Sequence, residues 1–431
     1  MPKILRQTSS VCPVCLQKIP AVHAAYGNEV YLEKTCPQHG EFSAVIWRGL
    51  RDMETWRGDL PPIAEGENEN CPHACGLCPE HQQGTCCVLL EVTKRCNLRC
   101  SFCFAEGGTG EDIPFETVCD RLHALAVPGK TLVQLSGGEP TVRDELPQIV
   151  AAAKEAGCQY VQLNTNGIRL AEDAKYVRSL AEAGLSFVFM QFDGTDDDIY
   201  RVLRGKALLS IKQKAIENCA RYNLGVTLVP TIVPQVNTQD IGNIIRFAVS
   251  QAPAVRGVHL QPVSYFGRVP SVPSDNQRFT LDELLAAIEK QAGTLVQQDS
   301  LQPSCCDHPM CGFHGDYIVM PDQTLHPLHK ANNSCCGTTT ADQNRSFVAR
   351  KWQRPKAVDA DNNQNLSYGE TDIKTFEGFL RRLRSHSFTL TAMAFQDAGN
   401  LDLERLRRCS LHVFDDGRFV PFCAYYLTKQ E

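Results

Sequence analysis

Between Val88 and about Phe266 the chain repeats one pattern, a short apolar run followed by an amphipathic stretch. The apolar runs are Val88 to Val92, Thr131 to Leu135, Tyr160 to Leu163, Phe187 to Phe192, Val226 to Val233 and Val258 to Val263. Helical spacing marks Leu146 to Ala156, Ala171 to Ala183, Leu208 to Tyr222 and Ile241 to Ala252 between them. Alternating strands and helices imply a parallel sheet. Strands that are apolar throughout are buried on both faces, as in a barrel or a doubly wound sheet. Six such units favour an α/β fold built on an open, partial (β/α)6 barrel.

The 21 cysteines are distributed around this core. They crowd between Cys12 and Cys119, thin to Cys158 and Cys219, and return from Cys305 to Cys423. In a reducing compartment, closely spaced cysteines hold metal more often than they form disulfides. The expected division is a Cys/His module over 1–60, an auxiliary cluster segment over 61–87, the barrel over 88–278 and a C-terminal auxiliary cluster domain over 279–431. Pro61-Pro62 with the polar stretch Glu65 to Asn70 reads as the first linker, and Arg354 to Glu370 as another. Thr280 and Glu283 form a capping box before a helix over Leu281 to Gln298, and a basic amphipathic helix is expected over Phe376 to Leu383. Net charge is -6 with both signs interspersed, so the basic stripe that nucleic acid requires is missing. No apolar stretch has signal-peptide character or membrane-spanning length, and a cytoplasmic protein is expected.

After the first strand, the run Cys96-Asn-Leu-Arg-Cys100-Ser-Phe102-Cys103 places three cysteines in one tight loop. Three thiolates on a four-iron cubane leave one iron without a protein ligand. That open corner can chelate an amino-carboxylate such as the methionine end of S-adenosylmethionine (SAM). The alternative is a closed zinc or electron-transfer site with a further cysteine. Ser136-Gly137-Gly138-Glu139-Pro140 follows the second strand, Asn164-Thr-Asn166-Gly167 ends the third, and Gln191-Phe-Asp193-Gly194 ends the fourth. All lie at the carboxyl rim, where such sheets collect ligands.

At these residues the sequence resembles the radical SAM superfamily, whose signature is this cysteine spacing with an aromatic, here Phe102, before the third. The resemblance implies a [4Fe-4S] cluster on Cys96, Cys100 and Cys103, and a low-potential electron donor. It implies reductive cleavage of SAM to a 5'-deoxyadenosyl radical that abstracts hydrogen from a carbon centre, in an oxygen-sensitive enzyme. Phe102, Ser136, Gly137, Gly138, Glu139, Asn164, Asn166, Gln191 and Asp193 would then face the cofactor.

Cys71-Pro-His-Ala-Cys75-Gly-Leu-Cys78 has the same spacing but follows a polar linker and lacks the aromatic. With Cys86 or Cys87 as fourth ligand it is read as a closed auxiliary [4Fe-4S] cluster, structural zinc being the alternative. Cys305 or Cys306 with Cys311, Cys409 and Cys423 is read as a second. Cys12-Pro-Val-Cys15 and Cys36-Pro-Gln-His39 are two knuckles of a four-ligand zinc or iron site. Cys335-Cys336 is either a ligand source, a redox-active pair or two inert thiols. Cys119, Cys158 and Cys219 are expected in the core, and His23, His73, His81 and His123 as ordinary polar side chains.

The cysteine-rich segment before the main loop, Met393-Ala-Phe-Gln-Asp397 and the ending Gly417 to Tyr425 look like the tetraether lipid synthase-like branch. That branch includes enzymes joining lipid alkyl chains and relatives linked to pterin methylation. The resemblance implies carbon-carbon bond formation or methylation on a lipid-like or small-molecule substrate. His39 departs from an all-cysteine rubredoxin site, which favours zinc there. A peptide-modifying radical maturase is the enzymatic alternative, and an iron-sulfur electron carrier the non-enzymatic one.

Overall fold

The computed structural model describes residues 1–49, 51–61, 71–73, 75–328, 340–355 and 375–429. Four strands open the chain, β1 (Lys3–Val11), β2 (Lys18–Tyr26), β3 (Glu29–Cys36) and β4 (Gly40–Arg48), paired antiparallel in chain order. The spacing of the two knuckles predicts the metal site but not this sheet. Its pattern is nonetheless present in β3, where Val30, Leu32, Lys34 and Cys36 alternate inward. A short helix, α1 (Met53–Arg57), follows.

The middle of the chain runs β5 (Cys87–Arg95), β6 (Thr109–Asp112), α2 (Phe115–Leu125), β7 (Leu132–Gly137), α3 (Leu146–Glu155), β8 (Tyr160–Thr165), α4 (Ile168–Glu172) and α5 (Ala174–Glu182). It continues through β9 (Phe187–Gln191), α6 (Asp197–Arg204), α7 (Leu209–Arg221), β10 (Gly225–Val229), β11 (Thr231–Ile232), α8 (Ile241–Ser250) and β12 (Val255–Pro262). Strands β5, β7, β8, β9, β10 and β12 lie side by side in chain order and all are parallel. These are the six apolar runs. The pattern expected as one helix over Ala171 to Ala183 is broken at Asp173, whose carboxylate caps α5 by accepting from the Lys175 and Tyr176 amides. Val88, Leu90, Leu135, Leu163 and Val188 pack into the same core as helix residues Leu122, Ile149, Val177 and Ile245. Each such side chain, fully buried, contributes about 1.5–3 kcal/mol.

The C-terminal third holds α9 (Leu281–Ala292), β13 (Gln302–Pro303), β14 (Gly312–Val319), β15 (Leu325–Pro327), α10 (Ala341–Trp352) and α11 (Phe376–Ser385). After these come β16 (Ser387–Met393), α12 (Leu403–Arg407), β17 (Leu411–Asp415), β18 (Arg418–Pro421) and α13 (Phe422–Thr428). The capping box at Thr280 and Glu283 is formed, and α9 stops short of Gln298 because Gly293 turns at φ 57°. The strand-helix rhythm does not show that this third completes the barrel sheet. Strand β16 pairs parallel to β12 and β17 parallel to β5, while β14 and β18 add antiparallel strands beyond them. An open barrel has two edges with unpaired backbone groups, and both are covered here by chain from far along the sequence.

The same third anchors the N-terminal sheet. The Asp402 carboxylate takes hydrogen bonds from the Thr8 hydroxyl at 2.8 Å and from His23 Nε2 at 2.9 Å. Ser10 Oγ donates to Leu401 O at 2.6 Å, and the buried Lys34 ammonium donates to Ala398 O at 2.8 Å. His23, expected to be an ordinary polar side chain, is therefore a buried structural one.

Candidate active site

Strand β5 ends at Arg95, and the next residues form the three-cysteine loop at the carboxyl rim of the barrel. Backbone contacts hold it. The Cys96 amide donates to Gly108 O at 2.8 Å, and Cys103 and Arg268 exchange two amide-carbonyl bonds at 3.0 Å. The Arg268 guanidinium adds bonds to Cys100 O at 3.3 Å and Gly107 O at 2.7 Å. Arg268 lies in the Pro and Ser rich stretch Gly267 to Arg278, so nothing in its local sequence marks it as the clamp on a loop so distant in the chain.

Cys96, Cys100, Phe102 and Cys103 line a cavity of about 1050 Å³. Ser136, Gly137, Gly138 and Glu139 from the end of β7 line it as well, as do Asn164, Asn166 and Gln191. Burial pushes the Cys96 thiol up to about 12, with Glu139 and the other two cysteines adding to it, and burial also raises Cys103. Half-buried thiols that disfavour one another's ionisation suit a positively charged metal centre, which reverses that preference. The residues present therefore fit a cluster held by this loop.

The two glycines serve the cysteine loop first. A Cβ on Gly138 would sit 2.2 Å from Arg95 O, and one on Gly137, at φ +117°, would sit 2.3 Å from Thr93 O. The Gly138 and Glu139 amides each donate at 2.8 Å, to Thr93 O and Arg95 O. Glycine is required here so that the β7 turn can lie flat against the strand end that launches Cys96. Glu139 is 2% exposed and its carboxylate is engaged within the fold. Oε1 accepts from the Thr141 amide and from the hydroxyls of Thr141 and Thr165, and Oε2 accepts from the Asn166 amide at 2.6 Å. Asn166 Nδ2 in turn donates to Asn97 Oδ1 at 2.7 Å, tying the third strand to the cysteine loop.

Asp193 is placed differently from its expected neighbours. It is fully buried and stands behind the cavity, with a two-pronged ion pair to Arg204 at 2.6 and 2.7 Å. A buried carboxylate needs a charged partner, and that need turns it towards α6. It acts through residues that do line the cavity, Arg204 and its hydrogen-bonded neighbour Gln191. Arg204 also reaches the Cys100 thiol. Gln191 Oε1 accepts at 2.8 Å from Lys212, a fully buried lysine that burial pushes down to about 7. Neither Arg204 nor Lys212 is visible from motif spacing, since each is one cation on an ordinary amphipathic helix.

The remaining cysteines fall into separate groups. Cys12, Cys15, Cys36 and His39 bring their donor atoms within 4.8 Å of one another, the spread that a single tetrahedral ion requires. Cys71 and Cys75 share a thiol contact beside Cys78, Glu80 and Arg407. Cys311, Cys409 and Cys423 are mutual neighbours, with the buried Arg405 Nε 3.5 Å from the Cys311 sulfur. Cys86 lies against Cys306, so the two expected auxiliary sets meet there. Cys87 instead donates its thiol to Gln134 Oε1 at 3.4 Å. Cys158 and Cys219 are buried in the core, while Cys119 is half-buried on α2. Cys335 and Cys336 lie outside the described residues.

Residues 90–248 match the radical SAM superfamily, and residues 4–48 match the HMPTM N-terminal zinc ribbon domain. Barrel, loop and match together define a radical SAM enzyme, which uses a [4Fe-4S] cluster and S-adenosylmethionine. The chain is 32% identical to 7,8-dihydro-6-hydroxymethylpterin dimethyltransferase of Methanocaldococcus jannaschii, over 99% of this chain and 94% of that protein. It belongs to that protein's family within the radical SAM superfamily. Fe-coproporphyrin III synthase of Methanosarcina barkeri is 30% identical over 47% of this chain and 49% of its own length. Among solved structures, methylornithine synthase is similar over 62% of this chain and 81% of its own, with 15% identity and a TM-score of 0.41. No helix among the described residues is long and apolar enough to cross a membrane.

Proposed function

We propose that this enzyme methylates carbon on a reduced pterin. The end-to-end similarity to a dihydrohydroxymethylpterin dimethyltransferase carries the reading, because it spans the ribbon, the barrel and the cysteine-rich C-terminal third alike. Cys96, Cys100 and Cys103 hold the catalytic cluster, with Ser136, Gly137, Gly138, Asn164, Asn166 and Gln191 around the cofactor. The cluster with SAM bound supplies a 5'-deoxyadenosyl radical able to take hydrogen from an unactivated carbon.

The chain's own residues prepare that site. Arg268 and Gly138 fix the loop that carries the three thiols, and Glu139 locks the rims of β7 and β8 together. Arg204 places a permanent positive charge beside Cys100, held in position by Asp193. Cys12, Cys15, Cys36 and His39 hold zinc. Cys71, Cys75 and Cys78 form one auxiliary cluster site, and Cys311, Cys409 and Cys423 a second, with Cys86 and Cys306 between them as candidate fourth ligands. Reconstituted protein should then hold about twelve cluster irons in three cubanes.

The test is an anaerobic assay with 7,8-dihydro-6-hydroxymethylpterin, SAM, a low-potential reductant and a methyl source, read by mass spectrometry. Gain of one or two methylene masses by the pterin, with 5'-deoxyadenosine formed alongside, is expected. An unchanged pterin, with coupled turnover of an alkyl lipid or a peptide instead, overturns the reading.

A further inference from the structure

Below the cofactor residues, the cavity wall carries side chains that motif spacing does not single out. Residues two apart on a strand share a face. Gln134 stands two residues before Ser136 on β7, and Gln162 two residues before Asn164 on β8. The two glutamines are direct partners in the β7–β8 register, so their amides lie side by side in the wall of the cavity that also holds the cysteine loop. Gln162 is 1% exposed, and its Nε2 donates to Asn164 Oδ1 at 3.1 Å. That bond orients the amide and leaves its oxygen and second N–H for a ligand.

Rings stand next to the amides. Phe189 on β9 is level with Asn164 and lines the same cavity. Trp352 is 4.6 Å from the Phe189 ring, and His259 is 5.6 Å from it. The backs of both are tied, Trp352 Nε1 to Thr389 Oγ1 at 3.0 Å and His259 Nδ1 to Thr391 Oγ1 at 2.8 Å.

A wall of this kind discriminates between the substrate classes open at the sequence level. An alkyl chain seated against Gln134 and Gln162 would offer their amide groups no hydrogen-bond partner, a cost of about 1–3 kcal/mol for each unpaired group. A flat heterocycle with an amino group and a lactam returns both donors and acceptors and presents a face to an aromatic ring.

We infer that Gln134 and Gln162 form the reading edge of the substrate subsite, pairing with the amino and lactam groups of a pterin's pyrimidinone ring while Phe189 takes its flat face. This rests on the pterin reading above. The Gln162 oxygen is the acceptor for the ring amino group, so the subsite should distinguish a pterin from the lumazine that carries oxygen in place of that amine.

The test uses the full-length, cluster-loaded protein and calorimetric titration with 6-hydroxymethyl-7,8-dihydropterin and its lumazine counterpart. The unaltered enzyme should prefer the pterin by about tenfold. Gln162→Leu should weaken pterin binding by about tenfold and erase the preference, while the change in the reduced-cluster spectrum on adding SAM stays as in the unaltered enzyme. Gln134→Leu, which loses only a weak thiol contact within the fold, should weaken pterin and lumazine alike, since both carry the lactam, and serves if the first variant folds poorly. Phe189→Leu should weaken both ligands alike, since ring stacking does not sense the amino group. Equal weakening of both ligands by Gln162→Leu, or no weakening in either glutamine variant, overturns the inference and leaves the pterin reading standing. Failure of the unaltered enzyme to bind the pterin overturns both.

Discussion

In the N-terminal ribbon, four donor atoms from two tight turns lie within 4.8 Å of one another, whereas the barrel loop presents three cysteines to the wall of a cavity of about 1050 Å³. The thiols are chemically alike in the two places. What differs is the number of donors and where they point. Four converging donors would close a coordination sphere, so a metal held there could only hold structure together. Three donors at a cavity wall leave one position for something else, and the residues around that loop are spent on keeping it rigid. The same cysteine thus reads as structural or as catalytic according to what its neighbours leave open.

The strongest way to break this contrast is to remove the loop's thiols. Changing Cys96, Cys100 and Cys103 together to Ala should abolish 5'-deoxyadenosine formation, measured by chromatography after anaerobic reduction, with the ribbon's zinc content unchanged. The parallel change of Cys71, Cys75 and Cys78, where the spacing is repeated, should leave uncoupled SAM cleavage while product formation is lost. If the second variant lost cleavage and the first kept it, the roles of the two loops would be exchanged.

Gly138→Val offers a sharper test, because it removes no thiol. The added side chain would meet Arg95 O, whose strand end carries the Cys96 loop. Loss of about four irons per chain, with zinc retained, is the expected elemental analysis. A variant that lost only SAM affinity would show that the glycine serves the cofactor rather than the loop.

Cys12→Ser acts on the other side of the comparison. It should release the zinc and cost on the order of 2 kcal/mol or more in stability, seen as a lower unfolding temperature of the metal-loaded protein. SAM cleavage by the protein that remains folded should fall by less than about twofold, since the ribbon's donors do not reach the cavity. A loss comparable to that of the Cys96 triple change would mean that the two sites are coupled.

The smallest effect concerns how the ribbon is fastened. Burial alone would raise the Asp402 carboxyl, but the bond and charge of His23, together with the Thr8 hydroxyl, outweigh it and hold the group below the usual carboxylate range. A depressed carboxyl contributes stability above its unfolded value, about 3.9, and that stability is lost as the pH falls through that value and below. Stability of the unaltered protein minus that of Asp402→Asn should therefore shrink as the pH falls from about 5 to below about 4. A difference that grew below about pH 4 would contradict the assignment.

Much of this was legible in the sequence. The six apolar runs are the six parallel strands, because a strand buried on both faces is apolar at consecutive positions and needs no distant information to declare itself. The loop at Cys96 to Cys103 and each of the ribbon's knuckles are likewise local, a few residues of turn bringing the donors within each together, while the sheet brings the two knuckles to one another. Asp193 marks the limit of that reasoning. Its position in a rim motif is correct, but its carboxylate faces Arg204, and only the packing of α6 decides this.

The sequence by itself determined the alternation of elements, the cysteine spacing and the glycine pair, all of which depend on residues near one another in the chain. The tertiary structure alone decided that β16 and β17 cover the barrel's two edges, that Arg268 clamps a loop far behind it, and that Cys86 meets Cys306. It also decided that Gln134 and Gln162 stand together in the cavity wall. Each of these is a pairing between distant segments, set by which unpaired edges and buried polar groups must find partners, and that requirement exists only once the chain has closed on itself.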